Sequence, residues 1–189
     1  MIKAETFCSV KKFNRSLLEN GVPAFSEWHL LGAIQNTGRG RNFDANTLPT
    51  GVRGVYIIWI MINGVVRPIY CGKTLQRGGI RQRVSQHVQI CHNEAAGHCS
   101  GILKAAFQLM DTDFIYFATY FECDDPERLE FTILRKYDFI CNRTDNGDYR
   151  FDDLLLLRKL TKSDDWLKFT LKKIVSQNPR FRERLMALR

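Results

Sequence analysis

The alternation of apolar and polar positions is clearest in the middle of the chain. Val55 to Met61 and Val65 to Cys71 are rich in β-branched and aromatic residues, and Asn63-Gly64 lies between them. That pair suits a type I′ turn, which needs positive φ at both central positions, so two antiparallel strands are expected. From Gly78 to Ile90 the spacing becomes helical, with Ile80, Val84, Val88 and Ile90 roughly on one face and Arg81, Arg83 and His87 elsewhere. Phe114 to Phe121 reads as a third strand. Asp125-Pro126 is an N-cap followed by proline at the first helical position, opening a helix through Leu129, Ile133, Leu134 and Tyr137. The core order is β-β-α-β-α, with a further short helix around Ile102 to Leu109.

Helical patterns flank this core. Ser26, followed by Trp28, Leu30, Leu31 and Ile34 with Gly38 beyond them, predicts a capped helix ending near Thr37. Gly38 to Asn46 then reads as a flexible basic loop closed by Pro49. Beyond Asn146-Gly147 the spacing is helical over Phe151 to Leu160, again from Ser163 through Trp166, Leu167, Leu171 and Ile174, and again from Asn178-Pro179. No repeat or low-complexity tract interrupts the pattern. The expectation is an α/β (α+β) fold: a helical extension over 1–49, a core domain over 50–148 with a three-stranded antiparallel sheet flanked by helices, and a basic helical extension over 149–189.

Composition narrows the class. At 189 residues and 44% hydrophobic, the chain has the length and apolar share of one globular domain. No run approaches the 18 or so apolar residues of a membrane helix. The first residues lack the apolar core of a signal peptide, so a cytoplasmic protein is expected, nucleoid-associated in a bacterium or nuclear in a eukaryote. Six scattered cysteines read as reduced thiols. The net charge of +8 favours a polyanionic partner. Its excess is concentrated: from Arg150 onward 11 Lys and Arg face 5 Asp and Glu, against 17 and 15 before it.

Gly54-Val55-Tyr56 on the first core strand and Tyr70-Cys71-Gly72 on the second place two tyrosines fourteen residues apart on paired strands. Downstream come Gly72-Lys73-Thr74, Arg83 and His87 on the first core helix, Glu130 on a later helix, and Asn142 twelve residues on. The set resembles the GIY-YIG nuclease superfamily over about Gly51 to Gly147, and His87, four after Arg83, resembles its restriction-enzyme branch. Val55 and Cys71 stand where isoleucine is commoner; neither change removes a chemical group. The resemblance implies a metal-dependent endonuclease that hydrolyses DNA phosphodiester bonds, leaving a 3′-hydroxyl and a 5′-phosphate. It also implies Tyr56 as the group that takes the proton from the attacking water, with Tyr70, Lys73, Arg83, His87, Glu130 and Asn142 as the remaining site residues.

These residue types suit that chemistry on their own terms. Hydrolysis needs an activated water, neutralised phosphoryl oxygens and help for the leaving oxygen. Glu130 is a hard oxygen ligand for one Mg²⁺ or Mn²⁺ ion, which keeps most of its waters. Arg83 can offer a planar fork of donors that lysine would not replace. An unperturbed tyrosine, with a pKa of about 10, would be roughly one part in a thousand phenolate at neutral pH. Lys73, Arg83 and the metal are expected to favour the charged form, or His87 to accept the proton through the phenol, with an alkaline-leaning activity profile. Asn142 either orients the substrate or fixes the loop after Phe139 to Cys141.

Each residue also has a plainer reading. Tyr56 and Tyr70 suit strands by propensity, Glu130 suits a helix start, and Arg83 with His87 has the spacing of a surface stripe. Only the ordered set points to a site. Gly72-Lys73-Thr74 is no phosphate loop, because Arg67 stands where the loop's first glycine is required, so no nucleotide cofactor is expected. Cys91-His92 and His98-Cys99 lack the usual ligand spacing, and structural zinc is not expected. Arg39 and Arg41 on the loop, and Lys172, Lys173 and Arg180 in the tail, either contact phosphates or only solubilise the chain. Expected partners are double-stranded DNA and a second copy of the chain, since a restriction-type enzyme commonly cuts both strands as a homodimer; no membrane is expected. Restriction, repair and mobile-element roles stay open, beside two rivals: a non-catalytic DNA-binding module and an RNA-directed nuclease.

Overall fold

The computed structural model describes residues 1–34, 42–43, 45–92, 114–142, 183–184 and 186–188. The helix expected over Ile102 to Leu109, the tail helices, and Arg39, Arg41, Lys172, Lys173 and Arg180 lie outside the described residues, as do the side chains of the Cys91-His92 and His98-Cys99 pairs.

The hairpin forms as its turn dictates. β4 (Gly54–Ile62) and β5 (Val65–Thr74) pair antiparallel, and Asn63 and Gly64 take φ of 50° and 76°. β4 also pairs antiparallel with β6 (Phe114–Glu122), and its residues are buried on both faces apart from partly exposed Met61. α2 (Gly79–His92) packs on β4 and β5. α3 (Pro126–Lys136) starts at the expected cap, where Asp125 Oδ1 accepts from Arg128 N at 3.0 Å.

The sheet is larger than the three strands expected. Its order is β3-β2-β6-β4-β5, the two added strands being β2 (His29–Ile34) and β3 (Asn42–Phe43). The segment predicted as a helix from Ser26 to Thr37 is therefore strand over His29–Ile34 and irregular over Ser26 to Trp28. Its short apolar run fits either period, and the open edge of β6 supplies backbone partners that a helix could not use. Ser26 caps no helix: its N–H donates to Tyr120 O at 2.8 Å, and its Oγ accepts from Tyr120 N at 3.0 Å. Part of the loop expected over Gly38 to Asn46 is likewise strand β3, and the segment before Thr50 contributes these two strands to the sheet as well as a helix.

Val10–Glu19 forms α1, for which no element is expected above, although Ser9 caps it and Phe13 and Leu17 share its buried face. The chain start, β1 (Ile2–Lys3), pairs in parallel with β7 (Tyr137–Asp138), so Tyr137 leaves the helix predicted to contain it. The two sheet faces carry separate cores. One joins Tyr56, Ile58, Ile60, Ile69 and Tyr116 to Ile80 and Val84 of α2. The other joins Val55, Ile57, Trp59 and Phe117 to Phe13 and Leu17 of α1 and to Ile133 and Leu134 of α3. Among the described residues, no helix is long and apolar enough to cross a membrane.

Candidate functional site

Strand register places the two tyrosines. Tyr56 on β4 stands opposite Gly72 on β5 and Tyr120 on β6. Tyr70 pairs with Ile58, and the next pair is Trp59 with Pro68, so Ile69 is the extra residue of a bulge. Regular pairing from Gly72 puts Tyr70 on the Tyr56 face, and the bulge shifts the alternation only for the part of β5 before it. The rings of Tyr56 and Tyr70 come to 6.2 Å.

Both motif glycines are required by close approach. A Cβ at Gly72 would lie 2.6 Å from Tyr56 Oη and 2.7 Å from Tyr70 Cε1. A Cβ at Gly54 would lie 2.1 Å from the Phe121 carbonyl oxygen on β6.

α2 brings His87 onto this face. The spacing analysis set it apart from Ile80 and Val84, but positions 80, 84 and 87 share a helical stripe, and His87 is 1% exposed. Its Nε2 lies 2.6 Å from Tyr56 Oη, and its ring is 5.0 Å from that of Tyr70. Burial, reinforced by the Arg83 charge, pushes the His87 pKa down to about 3, so the imidazole is neutral at neutral pH. Burial also raises Tyr56 well above the usual phenol range, with Tyr70 and Glu130 adding to the rise; Arg83 opposes it by its charge and as a hydrogen-bond donor. Arg83 favours the phenolate as expected, but desolvation outweighs it and the net shift is upward. Lys73 does not act on the phenol and is engaged elsewhere.

Lys73 pairs with Val55 and belongs to the opposite face, where α3 lies. Its Nζ sits 3.2 Å from Glu130 Oε2 and 3.3 Å from Glu127 Oε1. Burial alone would lower the ammonium pKa, but the two carboxylates raise it overall. Glu130 retains 18% side-chain exposure, and its negative charge reaches both Tyr56 and Cys71. The acidic and aromatic parts of the set therefore approach each other at β5, an edge strand of the sheet, across Gly72.

Asn142 covers that edge. Its Oδ1 accepts from Cys71 N at 2.8 Å and its Nδ2 donates to Cys71 O at 2.6 Å, while Cys141 N donates to Ile69 O at 2.9 Å. The amide imitates a strand partner, so of its two expected roles it is placed for holding the chain after Phe139. Tyr56, Tyr70, Arg83 and His87 thus share one face, Glu130 and Lys73 approach from the other, and Asn142 fixes the strand between them.

For a divalent cation the donor set is sparse. Glu130 is a partly exposed carboxylate, which suits Mg²⁺ or Mn²⁺ that keeps most of its water ligands. Among the described residues no three His, Cys, Asp or Glu side chains gather as a metal cage. Two residues not singled out from sequence also join the site face: Tyr120, the register partner of Tyr56, and His29, whose ring is 5.4 Å from Tyr120. The signal for them was the third strand, whose alternation puts Tyr116, Ala118 and Tyr120 on one side.

No family model, curated protein or solved structure matches this chain, so its chemistry has to be read from the side chains themselves.

Proposed function

We propose that the chain is a phosphodiesterase of the GIY-YIG type that hydrolyses duplex DNA with one divalent ion. The observation that carries this reading is the buried 2.6 Å contact between Tyr56 Oη and His87 Nε2, with Arg83 acting on the same phenol. A tyrosine and a histidine that are both neutral can relay a proton without either becoming a free ion first. In the reaction, water oxygen attacks phosphorus and its proton moves to Tyr56 Oη as the phenol proton moves to His87 Nε2. The bond from phosphorus to the 3′ oxygen breaks, leaving a 5′-phosphate, and the departing 3′ oxygen takes a proton from solvent water to become the 3′-hydroxyl. Arg83 supports the charge that grows on the phosphoryl oxygens. Tyr70 packs against both members of the relay and restricts their rotation.

Glu130 is the group that would hold Mg²⁺ or Mn²⁺, and the ion would supply electrophilic stabilisation of the phosphate. Lys73 would then orient the carboxylate or compete for it. Two copies of the chain acting together on the two strands of a site, as a restriction-type enzyme would, is the arrangement that fits a double-strand cut; repair and mobile-element nucleases use the same bond chemistry.

Supercoiled plasmid incubated with the protein and Mg²⁺ tests the reading, with the ends sequenced afterwards. The parent is expected to nick, and Tyr56→Phe and Glu130→Ala to lose at least about a hundredfold in rate. A Mn²⁺ titration followed by water-proton relaxation should lose its site in Glu130→Ala. Equal cleavage by Tyr56→Phe between pH 6 and 10 would end the tyrosine role. The ion pair from Lys73 to Glu130 favours a second reading, a DNA-binding module without turnover, and that reading stands if the parent binds plasmid and never nicks it.

A further inference from the structure

We propose that Tyr120 and His29 form a stacking shelf that takes one nucleobase of the substrate, swung out of the duplex, beside the Tyr56 and His87 pair. This rests on the reading above only in requiring a nucleic-acid ligand.

The placement follows from register. Antiparallel partners share a face, so Tyr120 stands on the same side as Tyr56, one strand away. His29 pairs with Ala118 and stands on that side one strand further out, with its ring 5.4 Å from Tyr120 at 42°. Tyr70, Tyr56, Tyr120 and His29 therefore come from four adjacent strands in the order β5, β4, β6, β2, as one aromatic arc whose two ends stand level with Ile58. With strands about 4.8 Å apart and residues about 3.4 Å apart along them, His29, two strands across and two residues along, is displaced from Tyr56 by about 12 Å, on the scale of one nucleotide.

The two halves of the arc differ in cover. α2 lies over β4 and β5 and buries Tyr56, whereas Tyr120 and His29 remain partly exposed. Their backbone is nonetheless held: Ser26 exchanges two hydrogen bonds with Tyr120 just before β2 begins. A rigid, half-open aromatic surface is what a base stacks on, and such stacking tolerates any sequence because every base has a π face. Charge argues against a phosphate here. Glu122, exposed, shares the face of Tyr120 two residues on, so an anion would be repelled while a neutral base would not. The cation for phosphate on this face is Arg83, one turn of α2 before His87.

The test uses the full chain and a short fluorescein-labelled DNA duplex, read by anisotropy with Ca²⁺ replacing Mg²⁺ to withhold turnover. Tyr120→Ala should weaken binding at least about fivefold, and His29→Ala less, while Tyr120→Phe and Tyr120→Trp stay within about twofold of the parent. Tyr120→Leu keeps apolar bulk and should behave like Tyr120→Ala with an unchanged urea midpoint, which separates stacking from folding. In a series of duplexes each carrying one abasic position, one position should weaken the parent and leave Tyr120→Ala unaffected. Parent-like binding by Tyr120→Leu, or binding by Tyr120→Phe as weak as by Tyr120→Ala, overturns the shelf. Failure of the parent to bind DNA overturns it too. If the aromatic dependence holds and plasmid is never nicked, the shelf stands and the hydrolase falls.

Discussion

Two regions of this molecule bury polar groups, and they resolve the cost of burial in opposite ways. At the site, Tyr56 and His87 are each 1% exposed, and burial drives both toward their neutral forms. At the chain ends, Arg184 stays charged. Its Nε and one terminal nitrogen donate to the two carboxylate oxygens of Glu5 at 2.6 and 2.8 Å, and its other terminal nitrogen donates to Asp138 Oδ2 at 2.8 Å. Burial would lower the Arg184 pKa, but these carboxylates raise it overall. The clasp holds the C-terminal segment to the first turn of the chain and to β7, and Leu188 beyond it is buried in the α2-side core. A forked, fully bonded ion has one stable arrangement, which is what a clasp needs. Two neutral groups sharing one short hydrogen bond need no counter-ion, and burial holds the proton on Tyr56 until the negative charge of a bound phosphate favours its passage to His87.

The largest expected effect that tests this contrast is on acid stability. His87 binds a proton near pH 6.5 when unfolded but only near pH 3 when folded, so its contribution is complete above pH 6.5 and is lost as pH falls toward 3. That loss amounts to about 4 to 5 kcal/mol, read by urea unfolding across this range, and His87→Gln should flatten it. Asp138 moves the other way. Burial raises its pKa more than Arg184 lowers it, so acid protonates it more readily in the folded chain and costs no stability there. An unchanged acid slope in His87→Gln would mean the imidazole is not the buried neutral group described.

Next in size is the clasp. Arg184→Ala leaves Glu5 and Asp138 without their shared cation and should cost about 2 to 3 kcal/mol, less than a fully buried pair because all three side chains keep some exposure. Arg184→Lys should recover less than half of it, since an ammonium cannot reproduce the fork. Full recovery would show that charge alone holds the ends together. The smallest effect is expected at Gly72→Ala, whose added carbon meets Tyr56 Oη at 2.6 Å. It should cost about 1 to 3 kcal/mol by overpacking while removing most plasmid nicking. Wild-type nicking there would show that the tyrosine has room to move and that the short contact to His87 is dispensable.

Much of the central sheet was legible because local chemistry dictates it. Asn63-Gly64 can turn only one way, Asp125-Pro126 can only start a helix, and both formed as written. The ordered set of Tyr56, Tyr70, Arg83, His87 and Glu130 was legible as a list, but its arrangement was not. The i, i+4, i+7 spacing of Ile80, Val84 and His87 carried the inward position of His87 but a titratable residue type masked it, and nothing in the spacing shows that Lys73 and Glu130 meet on the opposite face from Tyr56. Tyr120 was missed because alone it is an ordinary strand residue, and His29 because its segment reads as a helix and only the edge of β6 makes it strand.

By itself, then, the sequence determined the elements whose backbone torsions are set by neighbouring residues, together with the residue types available for chemistry. Tertiary structure decided the rest. Leu30 to Ile34 became strand because the edge of β6 offered hydrogen bonds that no local periodicity records. Tyr56 and His87 became neutral because of burial, a property of everything packed around them, which outweighs Arg83 at the phenol and acts together with it at the imidazole.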